Sequence, residues 1–157
     1  MLRTLGWLLV AAAVAGCSAL WSVANRRGLE ADLREVLGAY LDVQPEMDCA
    51  MVGTTRTGYC LFDAQAESVR DLAEEMGMEA RAVDLHDPGS LPPLQVEGRV
   101  GCLSAEVFGQ VQGLPAYWLG GRPDALALQS GGRFEYLLLV FDPAAGRACA
   151  LASYAYG

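Results

Sequence analysis

Cysteine is the residue type in this chain whose chemistry depends most on its surroundings. The chain has five cysteines, Cys17, Cys49, Cys60, Cys102 and Cys149. In an oxidising compartment an even set of cysteines forms disulfides, whereas in a reducing one such residues more often bind metal or act as nucleophiles. The spacing contains no Cys-x-x-Cys motif and His86 is the only histidine, so we expect no structural zinc and no other cofactor.

Four of the cysteines lie in the body of the chain and are expected to form two disulfides. Sequence alone leaves three connectivities open. The pairing Cys49–Cys60 is favoured, because these residues flank residues 53–58, whose sequence Gly-Thr-Thr-Arg-Thr-Gly is typical of a turn. That choice leaves Cys102 and Cys149 as a long-range crosslink.

His86 is the only imidazole and therefore the first candidate for a general base. Asp84 and Asp87 lie beside it in the sequence, and carboxylates next to an imidazole can tune it as a base or bind a cation with it. The favoured alternative is a solvent-exposed turn, because residues 86–93 are rich in Pro, Gly and Ser. No Gly-x-Ser-x-Gly motif presents a serine nucleophile, so we assign no catalytic residue.

The first 16 residues have the layout of a secretory signal peptide, with Arg3 ahead of an uncharged, mostly apolar run. The run ends in Val14-Ala15-Gly16-Cys17, which resembles the lipobox of bacterial lipoproteins: an aliphatic residue, two small residues and the modified cysteine. The resemblance covers only this leader. It implies cleavage before Cys17 and lipid on its sulfur and on its new amino terminus, and several acyl chains anchor a protein stably to a membrane. Because Ser18 follows, the family's sorting rule implies the outer membrane in an organism that has one.

A single-pass anchor is the alternative topology for the amino-terminal segment. The uncharged stretch continues past Cys17, and residues 5–24 are together long enough for one transmembrane helix. Arginines flank this stretch on both sides, so the orientation of such a helix is ambiguous.

The charge balance argues against nucleic acid as a partner. The chain carries 11 basic and 19 acidic residues, a net charge of -8, and so offers no broad basic face to a phosphate backbone.

We expect residues 1–16 to be a signal peptide, residues 17–27 a lipidated tether, and residues 28–157 a single domain.

Two amphipathic helices are predicted from apolar residues at helical spacing. The first spans residues 28–43, and the second carries the stripe from Val69 to Met76, with Asp63 or Ser68 as its N-cap and Gly77 at its end. The opposite face of the second helix carries a row of acidic residues: Glu67, Asp71, Glu74 and Glu75. This row is either a site for a cation or basic partner or, as we favour, a solvated helix face.

The rest of the chain predicts a β-sheet. Residues 48–63 are typical of a hairpin. Further strands are predicted at residues 79–85, 94–102, 125–129, 133–142 and 147–156, and a short helix at 104–109. Because residues 134–141 are apolar on both faces, they should form a central strand. The fold class is therefore α+β, with two helices packed on one face of an antiparallel sheet that disulfides crosslink.

Two surfaces are candidates for recognition. Tyr117, Trp118 and Arg122 could form a partner surface, because aromatic and arginine side chains supply large contact area. The alternative, which we favour, is that the aromatic pair fills the core under a turn. The last strand carries Tyr154 and Tyr156 and could be a sheet edge that another chain extends, unless that edge is short or capped.

These features favour a non-catalytic envelope lipoprotein that binds or assembles another envelope protein or a cell-wall component, or that has a structural role. Its contact with the membrane would be the lipid on Cys17. A membrane-tethered hydrolase that uses carboxylates or His86 is the alternative.

Overall fold

The computed structural model describes residues 27–38, 41, 45–52, 57–91, 101–104, 106–120, 128 and 134–154. The predicted signal peptide, the predicted lipidation site Cys17 and the alternative anchor at residues 5–24 lie outside the described residues. So do Arg122, Tyr156 and most of the predicted strands 94–102 and 125–129.

Two helices and six strands make up the described part of the chain. In chain order they are α1 at residues 27–38, β1 at Asp48–Met51, β2 at Thr57–Asp63, α2 at Ala66–Glu75, β3 at Glu79–Val83, β4 at Leu114–Gly120, β5 at Phe134–Asp142 and β6 at Arg147–Tyr154. A short 3-10 turn at Pro88–Ser90 follows β3. The mixture of segregated helices and strands is that of an α+β fold, as predicted.

The six strands form one antiparallel sheet in the order β1-β2-β6-β5-β4-β3. The prediction that residues 134–141 form a central strand is confirmed, because β5 lies between β6 and β4 and every residue of it except Glu135 is buried. The prediction that the last strand is an edge is wrong, since β6 lies between β2 and β5. Its run of Ala, Cys and Leu from Ala148 to Ala152 is fully buried, as a strand with neighbours on both sides requires.

Alternate residues along the central strands belong to two separate apolar cores. Leu137 and Leu139 of β5 lie in the first core, and Leu138 and Val140 lie in the second. The first core also contains Leu29, Leu33 and Leu37 of α1 with Val69 and Leu72 of α2. The second core instead contains Cys102, Leu103 and Phe108 from the segment between β3 and β4. Apolar side chains thus cover both faces of the sheet.

The first helix packs closely against β2. Leu29, Leu33 and Leu37 recur every four residues and are each completely buried. Gly58 of β2 lies directly under Leu29, and a Cβ at that position would clash with the Leu29 side chain. Leu41 is buried but already lies outside the helix, so the predicted end at residue 43 is wrong.

The second helix ends as predicted but begins differently. Its N-cap is Gln65, which makes no side-chain capping bond. Of the two predicted caps, Asp63 is the last residue of β2 and Ser68 lies inside the helix. Gly77 ends it with φ of 63°, and the N–H groups of Gly77 and Met78 donate to Glu74 and Ala73. This pair of bonds is a Schellman motif, for which glycine is the favoured residue.

Two further segments differ from the predictions. Leu114–Gly120 forms β4, which the sequence left unassigned because Pro115 interrupts it. Residue 104 and residues 106–109 lie in turns and bends rather than in a short helix, and the Phe108 N–H donates to the Ser104 carbonyl at 3.2 Å. The hairpin of β1 and β2 and the strand β3 agree with the prediction, although β3 ends at Val83.

Candidate functional site

The first disulfide, Cys49–Cys60, joins two strands directly opposite one another. Cys49 of β1 is the ladder partner of Cys60 of β2, and their Cα atoms lie 4.0 Å apart. Their relative exposures are 1% and 0%, so the bond lies inside the first core. This is the pairing that the flanking turn sequence favoured.

The second disulfide, Cys102–Cys149, ties the covering segment to a central strand. Cys149 belongs to β6, whereas Cys102 precedes β4 by a stretch of turns, and their Cα atoms lie 6.1 Å apart. Both side chains are completely buried in the second core. The first bond therefore crosslinks the edge strand β1 to its neighbour β2, and the second crosslinks the covering segment to the central strand β6.

His86 lies on an exposed turn after β3, the alternative that we favoured. One Asp84 carboxylate oxygen accepts the His86 backbone N–H at 2.8 Å, and one Asp87 oxygen accepts the Gly89 N–H at 2.9 Å. The Ser90 hydroxyl closes the turn by donating to the Asp84 carbonyl at 2.7 Å. These carboxylates therefore stabilise the backbone of the turn.

Metal-binding side chains are not grouped in the part of the chain that the structure describes: no three His, Cys, Asp or Glu residues there are placed to hold an ion. The acidic row of α2 is exposed at each of its positions, Glu67, Asp71, Glu74 and Glu75. Arg70 lies 4.0 Å from Glu67 and 3.9 Å from Asp71. This arrangement fits a solvated helix face.

Tyr117 and Trp118 lie on opposite faces of β4 and do not form one patch. Adjacent strand residues point to opposite sides of a sheet. Tyr117 packs against the first core and Trp118 against the second, and each is half-buried. The Trp118 ring lies against Tyr136 of β5, with ring centroids 5.2 Å apart. Both aromatic residues thus contribute to the cores while keeping part of their surface outside.

A cluster of hydroxyl groups lies beside the contact between the Trp118 and Tyr136 rings. Thr57 of β2, Ser153 of β6 and Tyr136 of β5 are neighbours across the sheet, and the Thr57 hydroxyl donates to Ser153 at 3.2 Å. The Tyr136 hydroxyl is buried without a well-formed hydrogen bond. Desolvation raises the pKa of Tyr136, and the nearby hydroxyls of Thr57 and Ser153 offset part of that rise. An unsatisfied buried hydroxyl costs stability and can be retained for a functional reason.

Sequence patterns could not find this cluster, because its members are distant along the chain. Thr57 and Ser153 are separated by 96 positions. The only local signal is that each is a polar residue within an apolar strand. The structure brings Trp118 and Tyr136 together with this hydroxyl cluster, but Tyr136 and Thr57 are only 6% and 5% exposed. Trp118 and Ser153 are half-buried, so they are the members of this group that can contact a partner and the best candidate for a recognition site.

Asp142 is a completely buried carboxylate at the turn between β5 and β6. Burial would raise the pKa of Asp142, but backbone N–H groups of Ala144, Ala145, Gly109 and Gln110 bond to the carboxylate and lower it overall. The bonds to Ala144 and Gly109 are 2.8 and 2.9 Å long. Asp142 therefore holds the β5–β6 turn to the loop before β4 and has a structural role.

A cavity of about 320 Å³ opens at the start of α2. It is lined by Leu41, Pro45, Asp63, Ala64, Gln65, Ser68 and Gly146. Polar Asp63, Gln65 and Ser68 line it beside apolar Leu41, Pro45 and Ala64, and the exposed carboxylate of Asp63 lies 3.7 Å from Arg147. The cavity is thus of mixed polarity.

None of the described helices is long and apolar enough to cross a membrane. No family model, no curated protein and no solved structure matches the chain.

Proposed function

We propose that this chain is a lipid-anchored protein of a bacterial cell envelope whose α+β domain binds another envelope component without catalysing a reaction. The observation that carries the proposal is the pair of buried disulfides, Cys49–Cys60 and Cys102–Cys149. Structural disulfides of this kind form and persist in oxidising compartments outside the cytoplasm. Export is therefore the premise, and Val14-Ala15-Gly16-Cys17 supplies the corresponding signal and anchor.

The disulfides support export because of where they lie. The four cysteines of the two disulfides are at most 1% exposed, so each of their sulfur atoms was enclosed as the domain folded. In a reducing compartment both disulfides would be replaced by pairs of free thiols. The edge strand β1 and the covering segment would then lose their crosslinks to the rest of the sheet, and the domain would lose the stability that both crosslinks contribute.

We further infer that both helices lie on the same face of the sheet. The apolar stripes of α1 and α2 belong to the first core, together with Cys60 of β2, Leu137 of β5 and Ala150 of β6. The alternate strand residues belong to the second core, which contains no residue of the two helices among those described. The second face then carries Trp118 and the hydroxyl cluster, away from the helices.

A binding role fits this second face better than it fits the turn at His86. Trp118 offers a half-buried ring that is held by Tyr136, and such aromatic groups contribute strongly to interfaces. At the turn, Asp84 and Asp87 bond to backbone groups of their own loop. No contact there favours the alternative of a tethered hydrolase.

The test is the intact mass of the protein extracted from its native membrane, with alkylation before and after reduction. We expect a chain that begins at Cys17, heavier by a diacylglyceryl group and an acyl chain, with four thiols that react only after reduction. The control is Cys17→Ser, which should remain unprocessed and unlipidated while the four thiols stay protected.

Two results would overturn the proposal. An unmodified chain beginning at Met1 would favour the single-pass anchor at residues 5–24. Thiols that alkylate in the folded protein before reduction would contradict export into an oxidising compartment.

A further inference from the structure

The strand β3 forms one edge of the sheet and is open to solvent. It pairs with β4 on one side, and among the described residues no strand pairs with its other side. Glu79, Ala80, Arg81 and Ala82 are all exposed, and only Val83 is buried. The outer backbone groups of such a strand are a template on which another strand can pair.

The side chains of β3 differ between the two faces. Glu79 and Arg81 lie on the face of the second core, with Val83, and their side chains form an ion pair of 2.6 Å. Ala80 and Ala82 lie on the opposite face. One face of the edge therefore alternates a negative and a positive charge, and the other carries only methyl groups.

This pattern is complementary to itself when it is reversed. In an antiparallel pair centred on Ala80, Glu79 of each copy lies directly opposite Arg81 of the other copy. On the other face, Ala80 then lies opposite Ala80, and Ala82 lies opposite Met78. Opposite charges that face each other across two strands stabilise the pairing, and small side chains leave no steric obstacle.

We propose that a second copy of this chain pairs with β3, antiparallel and centred on Ala80. The two sheets then continue into one another through a symmetric interface, in which each copy contributes the same surface. The partner of the anchored domain is in this respect its own copy. The inference does not depend on the lipid anchor, because it rests only on β3.

The charges select this register over its neighbours. Centring the pair on Arg81 would place the two arginines opposite each other, and centring it on Ala82 would place Arg81 opposite Val83. Like charges directly opposite one another destabilise a strand pair. The register centred on Ala80 is the one that places each charge opposite a charge of the other sign, in addition to the ion pair that Glu79 and Arg81 form within each strand.

The test is a charge-swap cycle on the full chain, purified in detergent, with the dimer dissociation constant measured by sedimentation. The wild-type chain should dimerise. Glu79→Arg and Arg81→Glu should each weaken the dimer about tenfold or more, because each places two like-charged pairs across the interface. The double variant Glu79→Arg/Arg81→Glu should restore it, and the two single variants should form a mixed dimer with each other.

Crosslinking tests the register independently. Ala80→Cys should form a disulfide between copies under mild oxidation, since directly opposite Cβ atoms lie about 4.5–5.5 Å apart. Ala82→Cys is the matched control, because its two copies are about 13 Å apart in the same pairing and should not crosslink. Circular dichroism of every variant checks that the fold is kept.

A wild-type chain that stays monomeric at all concentrations would overturn the proposal. So would charge-swap variants that dimerise as well as the wild type, or crosslinking through Ala82→Cys but not through Ala80→Cys. The mass measurement on the anchor is separate, so either proposal can fail while the other stands.

Discussion

Removing the Cys102–Cys149 disulfide should lower the free energy of unfolding by more than removing the Cys49–Cys60 disulfide does. The bond closes a loop of 47 residues, whereas Cys49–Cys60 closes one of 11. If a disulfide acts by restricting the unfolded chain, these lengths correspond to about 4 and about 3 kcal/mol of stability respectively. A typical domain is stable by only about 5–15 kcal/mol, so the longer crosslink is a large fraction of the total.

The perturbation is Cys102→Ala/Cys149→Ala, in which both cysteines are replaced so that no free thiol remains. The matched comparison is Cys49→Ala/Cys60→Ala, whose side chains are equally buried. The replacements therefore create similar packing defects, and the difference between the two variants reports mainly on loop length. We expect the first variant to be less stable than the second by about 1 kcal/mol.

The assay is urea unfolding of each full chain in detergent, followed by circular dichroism. The free energy of unfolding is taken from the midpoint and the slope of each transition. A smaller loss of stability in the Cys102–Cys149 variant than in the Cys49–Cys60 variant would contradict a stabilisation that grows with loop length. A loss below about 1 kcal/mol for either variant would equally contradict an entropic role.

Three further predictions concern hydroxyl, carboxylate and glycine groups. Tyr136→Phe should leave the free energy of unfolding unchanged or raise it, because the lost hydroxyl makes no well-formed hydrogen bond. Tyr154→Phe should instead lower it by about 1 kcal/mol, because it removes the 2.6 Å hydrogen bond to Asp32. Urea titrations of the two variants would contradict this if Tyr136→Phe were the more damaging. Because the folded state lowers the pKa of Asp142, its carboxylate contributes stability at pH values above its pKa in the unfolded chain, about 4, and this contribution is lost as the pH falls through the folded pKa. The stability that Asp142→Asn loses relative to the wild type, measured by urea titration, should therefore shrink between pH 6 and pH 3. A loss that stays constant over this range would be the contrary result. Gly77→Ala should cost about 1 kcal/mol because φ is 63°, and an unchanged thermal midpoint would argue against a strained backbone there.

Local patterns predicted the elements whose residues are neighbours in the sequence. The hairpin at residues 48–63 and its disulfide follow from two apolar runs around a turn, and the stripes of α1 and α2 follow from helical spacing. The burial of residues 136–141 follows from their apolar character on both faces. In each case the signal and the structure lie within the same short segment.

Strand order and the candidate recognition site depend on contacts that no short segment contains. Proline at position 115 hid β4, although Pro115 pairs with Ala82 only on the β3 side of the sheet. Tyr117 and Trp118 looked like one surface because they are adjacent, yet adjacency in a strand places them on opposite faces. The cluster at Tyr136 depends on three strands being ordered as β2-β6-β5.

The central position of β6 explains why the edge lies elsewhere. Ala148, Ala150 and Ala152 of β6 all face the first core, where their small side chains leave room for the leucines of α1. A strand that is buried under a helix in this way pairs with a neighbour on each side, here β2 and β5. Its terminal tyrosine is then engaged by Asp32 rather than by another chain.

Of the two edge strands of the described sheet, β1 and β3, β3 is the more exposed, because four of its five residues are exposed. Its charges decide what it can pair with. Natural proteins often protect an edge strand with charged residues, because a charge that meets an apolar strand must be desolvated without compensation. Glu79 and Arg81 impose that cost on most incoming strands. A reversed copy of β3 is an exception, because it brings Arg81 to Glu79 and Glu79 to Arg81. The same two charges that prevent indiscriminate pairing therefore permit one partner in one register.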